Sequence, residues 1–221
     1  HFMAETAKII SPEKTVLMPD SHAGCPMADM INVEQLKELK QQNPNAAVVC
    51  YVNSTASINA ESDICCTSAN ATKVCQSLEA KEIIFVPDKY LGHYTSTQVK
   101  DKEFILSNGF CPTHAKILPE QIIQLKKLHP GAEVLVHPEC RPETIALANG
   151  VLSTGGMIDY AHKSPATEFI IGTEVGILHR LRRDNPNKQF YPVSEQAVCP
   201  NMKLTTLEKV LWSLEDMKTA I

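Results

Sequence analysis

Residues 120–139 read EQIIQLKKLHPGAEVLVHPE, and residues 33–53 read VEQLKELKQQNPNAAVVCYVN. Each opens with apolar residues at helical spacing, breaks at a proline and continues as a short apolar run with a polar end. VEQLKELK and EQIIQLKKL suit amphipathic helices; AAVVCYV and AEVLVH suit buried strands. The copies share a register, because Pro44 and Pro130 each fall 19 residues past a Cys-Pro pair, at Cys25 and Cys111. Tyr51 and His137 lie 26 residues past their cysteine, Asn53 and Glu139 lie 28, and Ser68 and Thr154 lie 43. EIIFVPD (82–88) precedes EFIIGTE (168–174) by the same 86 residues. A third Cys-Pro pair, at Cys199 in VCPNMKLTT, follows Cys111 by 88.

Such self-similarity marks a repeat architecture. The unit reads Cys-Pro, helix, strand, polar turn, helix, strand, and this alternation predicts parallel sheets covered on both faces. Ligands in such folds gather beyond the carboxyl ends of the strands. Tyr51 with Asn53, and His137 with Glu139, fall there, each pair on one side of its strand. Ser68 and Thr154 fit the N-caps of equivalent helices, where free backbone N–H groups await an acceptor. By the same register Ile221 lies 22 residues past Cys199, where the next polar strand is due. If the units close into a ring, about 40 to 60 residues by repeat length belong before His1.

The 221 residues carry a formal charge of -4 and no Lys/Arg block, which argues against a nucleic-acid surface. No apolar run approaches the roughly 18 residues of a membrane span, so we expect no membrane partner. Eight cysteines with no signal-peptide pattern and no CxxC pair point to a reducing compartment with free or metal-bound thiols. If Cys25, Cys111 and Cys199 each end a strand, three thiolates can face a common axis and leave one metal position open. A [4Fe-4S] cluster fits such a set, zinc remains open, and the alternative is that each thiol is a small buried hydrophobe. Cys50, Cys65, Cys66, Cys75 and Cys140 break the register and are expected in the core. The segment DKYLGHYTS (88–96) reads as a loop with a glycine hinge, and HRLRRDNPNK (179–188) as a solvated helix end.

HFMAETAKI, the three register cysteines, YVNST, HPEC, LSTGGM and VCPNMK, matching in order across the chain, resemble quinolinate synthase, the iron-sulfur enzyme family of NAD biosynthesis. The resemblance implies an α/β fold of three pseudo-symmetric domains, each a small parallel sheet sandwiched by helices, around a central metal-cluster site. We accordingly divide the chain into residues 1–24 plus 200–221 (part of a first domain), 25–110 (second) and 111–199 (third). The implied reaction condenses iminoaspartate with dihydroxyacetone phosphate to quinolinate, phosphate and water, in the cytoplasm. An enzyme that supplies iminoaspartate is an implied partner. Carried over by position, Cys25, Cys111 and Cys199 would hold the [4Fe-4S] cluster. Tyr51, Asn53, Ser68, His137, Glu139 and Thr154 would contact substrate. Glu139, its pKa raised by burial, would shuttle protons, with His137 and Tyr51 assisting. His114, three residues after Cys111, is either a neighbour of the site or a surface histidine. The family's first domain also contributes a His-x-Tyr strand and a serine, which are absent from this sequence. A non-enzymatic iron-sulfur sensor and a metal-free solute-binding protein are the competing functions.

Overall fold

The computed structural model describes residues 1–218 and 221. In chain order its elements are α1 (Phe2–Ile10), α2 (Val33–Gln42), β1 (Ala47–Tyr51), α3 (Ala56–Ala60), β2 (Ile64–Cys66), α4 (Ala71–Ser77), β3 (Glu82–Val86), α5 (Lys89–Gln98) and β4 (Glu103–Leu106). A second series follows: α6 (Pro119–Leu128), β5 (Glu133–Val136), α7 (Pro142–Ile145), β6 (Gly150–Val151), α8 (Thr154–Lys163), β7 (Glu168–Gly172), α9 (Ile177–Asp184), β8 (Gln189–Pro192) and α10 (Leu207–Asp216). Short 3-10 turns at His114–Lys116 and Met202–Leu204 follow the second and third register cysteines.

Among the described residues the strands form two parallel sheets of identical order, β2-β1-β3-β4 and β6-β5-β7-β8. The pairing repeats residue for residue at a spacing of 86. Ala47 opposite Ile83 becomes Glu133 opposite Phe169, Val49 opposite Ile64 becomes Leu135 opposite Gly150, and Glu82 opposite Glu103 becomes Glu168 opposite Gln189. The third cysteine's spacing of 88 is also located. The Ser107 N–H bond to the Phe85 carbonyl and the Val193 N–H bond to the Ile171 carbonyl still match at 86, whereas Lys89 N–H to Gly109 is matched by Val175 N–H to Ala197 at 88. The two extra residues therefore lie between Val193 and Ala197, in the loop before Cys199.

Local chemistry explains why the copies fold alike. Asn32 and Gln35 close a reciprocal capping box at the start of α2, and Gln121 repeats half of it by accepting the Leu118 N–H at 2.9 Å, beside Pro119. Leu36 and Ile122, 86 residues apart, are the fully buried contacts of α2 and α6. Both sheets are covered on both faces. Val49, Ile83 and Phe85 pack one way and Val48, Cys50, Ile84 and Val86 the other; Val134, Val136 and Ile170 oppose Leu135, Phe169 and Ile171. Alternation along continuous apolar strands requires this arrangement, and each buried Phe contributes roughly 2–3 kcal/mol.

Three local expectations are corrected. DKYLGHYTS is no loop: Asp88 caps α5 by accepting the Tyr90 and Leu91 N–H groups, both at 2.8 Å. Gly92 there serves close packing, since a Cβ would stand 2.6 Å from Leu106 and 2.9 Å from Phe85. Ser68 and Thr154 are not N-caps. Asn70 and Ser153 hold those positions, and the Ser153 hydroxyl accepts the Gly156 N–H. Cys65 is exposed, because β2 is an edge strand.

Gly109 bridges to Asp88 where the β3–β4 pairing ends, two residues before Cys111, and a Cβ there would stand 2.4 Å from the Pro87 carbonyl oxygen. A backbone atom cannot rotate away. Gly109→Ala should cost about 1–3 kcal/mol, read as a lowered urea midpoint at unchanged slope. An unchanged midpoint would contradict the close approach.

Candidate functional site

The carboxyl ends of β1 and β5 face each other, and Glu139 lies between them. It follows β5 in the turn His-Pro-Glu-Cys and is 3% exposed. The Tyr51 hydroxyl, from the end of β1, donates to Glu139 Oε1 at 2.7 Å. His114 Nδ1 stands 2.9 Å from Glu139 Oε2 and 3.1 Å from Cys111 Sγ, and its Nε2 stands 2.8 Å from the Thr173 hydroxyl. The His114 and His137 rings stack with centroids 4.6 Å apart. Cys111, His114 and Glu139 thus present sulfur, nitrogen and oxygen atoms all within 4.8 Å of one another.

The histidines play different parts. The Glu139 backbone N–H donates to His137 Nδ1 at 3.3 Å, which requires a lone pair on that nitrogen. His137 Nδ1 also lies 3.7 Å from Glu139 Oε1, but the N–H bond makes this a contact of a neutral imidazole and not an ion pair. Burial pushes the His137 pKa down to about 4, against the pull of the Glu139 charge. His137 is therefore neutral at pH 7. The rise expected for Glu139 is corrected. Burial alone would raise its pKa, but His114, His137 and the Tyr51 hydroxyl outweigh burial and hold it below the usual carboxylate range. Tyr51 is pushed well above the ordinary phenol value by burial and by Glu139, so it is a committed donor.

Burial, then the Glu139 charge, lifts the Asp88 pKa to about 7. Its Oδ2 accepts the Cys111 backbone N–H at 3.2 Å, while Oδ1 caps α5. The repeat supplies the counterpart: Glu174, 86 residues on, accepts the Cys199 N–H at 3.4 Å and the Gly176 N–H at 2.8 Å and pairs with Lys203 at 3.0 Å. Two register cysteines thus have their amides held by carboxylates at equivalent strand ends. The signal was readable in the sequence, as the acidic residues closing EIIFVPD and EFIIGTE.

The register thiols differ in how directly they meet this array. Cys111 touches His114 directly, and burial and Glu139 raise its pKa. The Cys25 pKa is raised by burial and, less, by the charge of Glu139. The Asn201 side chain donates to the Gly24 carbonyl at 2.8 Å and so ties the Cys199 segment to the Cys25 segment. Cys25 also lines a cavity of about 210 Å³ with His1, Phe2, Glu5 and Ser21. All three are unbonded thiols of intermediate burial. Free thiols that are not fully buried have the donor chemistry of a thiolate-ligated cluster. Cys111, His114 and Glu139 by themselves offer mixed donors to one transition-metal ion.

Of the expected substrate contacts, Tyr51 and His137 each contact Glu139, and Ser68 lies near enough to the Tyr51 hydroxyl to lower its pKa slightly. Asn53 is half-buried in the turn after β1, and Thr154 is exposed at the first position of α8. No hydrogen bond among the described residues links either to the Glu139 array. Thr173, Asp88 and Glu174 join the site without having been singled out.

A repeated parallel α/β fold, with thiol, imidazole and buried carboxylate at its strand ends, defines an α/β protein with a candidate metal-binding group. The profile of the quinolinate synthetase A protein family matches residues 1–221. Quinolinate synthase of Dehalococcoides mccartyi is 60% identical over all 221 residues, which cover 73% of that protein. The counterparts of Methanosarcina barkeri and Geotalea uraniireducens are 55% and 56% identical, each with 72% of its length covered. The chain belongs to the quinolinate synthetase A family, a family of enzymes. No helix among the described residues is long and apolar enough to cross a membrane.

His137 should stay neutral from pH 8 to about pH 5, read by nitrogen-15 NMR of the imidazole; titration near 6.5 would contradict its placement. Because its folded pKa lies below the unfolded one, stability is lost as pH falls from about 6.5 towards 4, by up to about 3 kcal/mol.

Proposed function

We propose that this chain performs the quinolinate synthase reaction, condensing iminoaspartate with dihydroxyacetone phosphate to give quinolinate, phosphate and water. The observation that carries this reading is the continuous contact from Tyr51 through Glu139 and His114 to Cys111, which joins residues of both units to a register thiol. The close similarity to proteins named quinolinate synthase supports the same reading.

Cys25, Cys111 and Cys199 would hold a [4Fe-4S] cluster. When bound, it supplies a Lewis acid at its open iron, for oxygen ligands of the substrate. The raised pKa values of Cys25 and Cys111 mean that the metal-free thiols are protonated, so cluster loading must release protons.

The chain's own groups provide proton handling. An ionised Glu139 would accept a proton from a substrate carbon or nitrogen once substrate displaces the donors that hold its pKa down. His114, bonded to Glu139 and Thr173, holds the carboxylate in place. Tyr51 positions Glu139 and offers a protonated hydroxyl. Neutral His137 keeps Nε2–H as a donor towards substrate, since Nδ1 accepts from the Glu139 backbone. Asn53, Ser68 and Thr154 would bind substrate polar groups without proton chemistry, as none is an acid or base near pH 7.

The boundaries 25–110 and 111–199 follow the two repeats, and residues 1–24 with 200–221 belong to a further unit in this reading. Supporting it, Lys209 pairs with Asp20, and α1 and α10 bury none of their side chains, with Ile10, Leu207 and Trp212 exposed. Cytoplasmic location and an iminoaspartate-supplying partner enzyme belong to the same proposal.

Glu139→Gln should leave cluster absorption intact while lowering turnover at least about a hundredfold, the usual scale for loss of a general base. Tyr51→Phe should lower turnover less. Full activity in the Glu139→Gln protein would overturn the assignment. Adding a pyridine dicarboxylate to the anaerobically loaded protein should perturb the cluster absorption, and an unaltered spectrum would count against substrate binding at the metal.

A further inference from the structure

Two cysteines outside the site form a pair of their own. Cys50 in β1 and Cys65 in the edge strand β2 are direct partners in the parallel register. Neighbouring strands run about 4.7–4.9 Å apart, within the roughly 4.4–6.8 Å between Cα atoms that a disulfide spans. Residues at the same register point to the same face. Both sulfurs accordingly converge on one atom, Asn59 Oδ1 of α3, at 3.1 Å from Cys50 and 3.7 Å from Cys65. The adjacent Cys66 points to the opposite face, in the core with Cys75.

The partners differ in access and acidity. Cys65 is exposed and Cys50 fully buried. The neighbouring Cys50 thiol lowers the Cys65 pKa to about 7, against an opposing effect of burial. The Cys50 pKa is raised by the neighbouring Cys65 and by burial, with Ser54 and Ser62 pulling the other way. Burial also raises Cys66, Cys75 and Cys140.

We propose that Cys50 and Cys65 are a thiol modification site that closes reversibly to a disulfide on reaction with a small-molecule disulfide of the glutathione type. The Cys65 thiolate attacks one sulfur of the reagent. The reagent S–S bond breaks, one glutathione leaves as thiolate, and a Cys65–glutathione mixed disulfide forms. Cys50 then gives up its proton and attacks the Cys65 sulfur, expelling the second glutathione. Two protein thiols are oxidised, one reagent disulfide is reduced to two thiols, and the two protons end on glutathione. The new bond would tether β1 to β2 one residue before Tyr51.

The test uses the whole, cluster-loaded chain under anaerobic conditions. It is incubated with glutathione disulfide, blocked with N-ethylmaleimide, digested and mapped by mass spectrometry. The expected product is a peptide linking Cys50 to Cys65, with Cys66, Cys75 and Cys140 still carrying the blocking group. Cys65→Ser should abolish the link, and Cys50→Ala should accumulate the mixed disulfide at Cys65. Iodoacetamide at pH 7 should label Cys65 roughly tenfold faster than Cys66, Cys75 or Cys140. A mixed disulfide at Cys65 that persists in the unsubstituted protein beside a free Cys50 would overturn the pairing. So would equal labelling rates. Cys65 lies at the surface, so its serine variant tests the idea even if Cys50→Ala does not fold.

Discussion

A buried, ionised Glu139 between two repeat units is the constraint on which the site depends. An isolated carboxylate in a protein interior is so costly that it takes up a proton unless donors surround it. Here the donors come from different places: Tyr51 from the end of β1 and His114 from the turn after Cys111. Neither unit can satisfy Glu139 alone, so the carboxylate fixes the relative placement of the two sheets as well as its own charge. The same His114 touches Cys111 and Thr173, so thiol, base and strand end are positioned together.

The duplication accounts for the rest of the arrangement. Two sheets with one strand order and one pairing register bring their carboxyl ends to equivalent positions, and each repeat then varies what it presents there. Tyr51 in the first becomes His137 in the second, Asn53 becomes Glu139, and Asp88 becomes Glu174. The last change keeps its function despite the longer side chain, since each carboxylate accepts the amide of the following register cysteine. The two residues added before Cys199 leave the preceding strand pairing intact.

Much of this was legible because the determinants are local or periodic. Helix spacing, the prolines at 44 and 130, apolar strands and the repeat gave the α/β layers, and the polar strand ends gave Tyr51, His137 and Glu139. What stayed hidden depends on neighbours distant in sequence. Burial suggested a raised pKa for Glu139, and only the two imidazoles and the phenol reverse it. Asp88 looked like part of a loop, because its three N–H donors lie partly across the chain at Cys111. Gly92 looked like a hinge until Phe85 and Leu106 were seen against it. Cys65 looked like core because a short apolar run does not reveal which strand is at an edge.

The central claim is that Cys25, Cys111 and Cys199, far apart along the chain, act together as one ligand set beside Glu139. Iron and sulfide analysis of the anaerobically prepared chain, with its absorption spectrum, tests this most directly when repeated for each single Cys→Ser variant. The account predicts roughly four iron and four sulfide per chain, lost in all three variants alike and retained when Cys65 is replaced instead. Iron binding that survives loss of any one of the three thiols would contradict it.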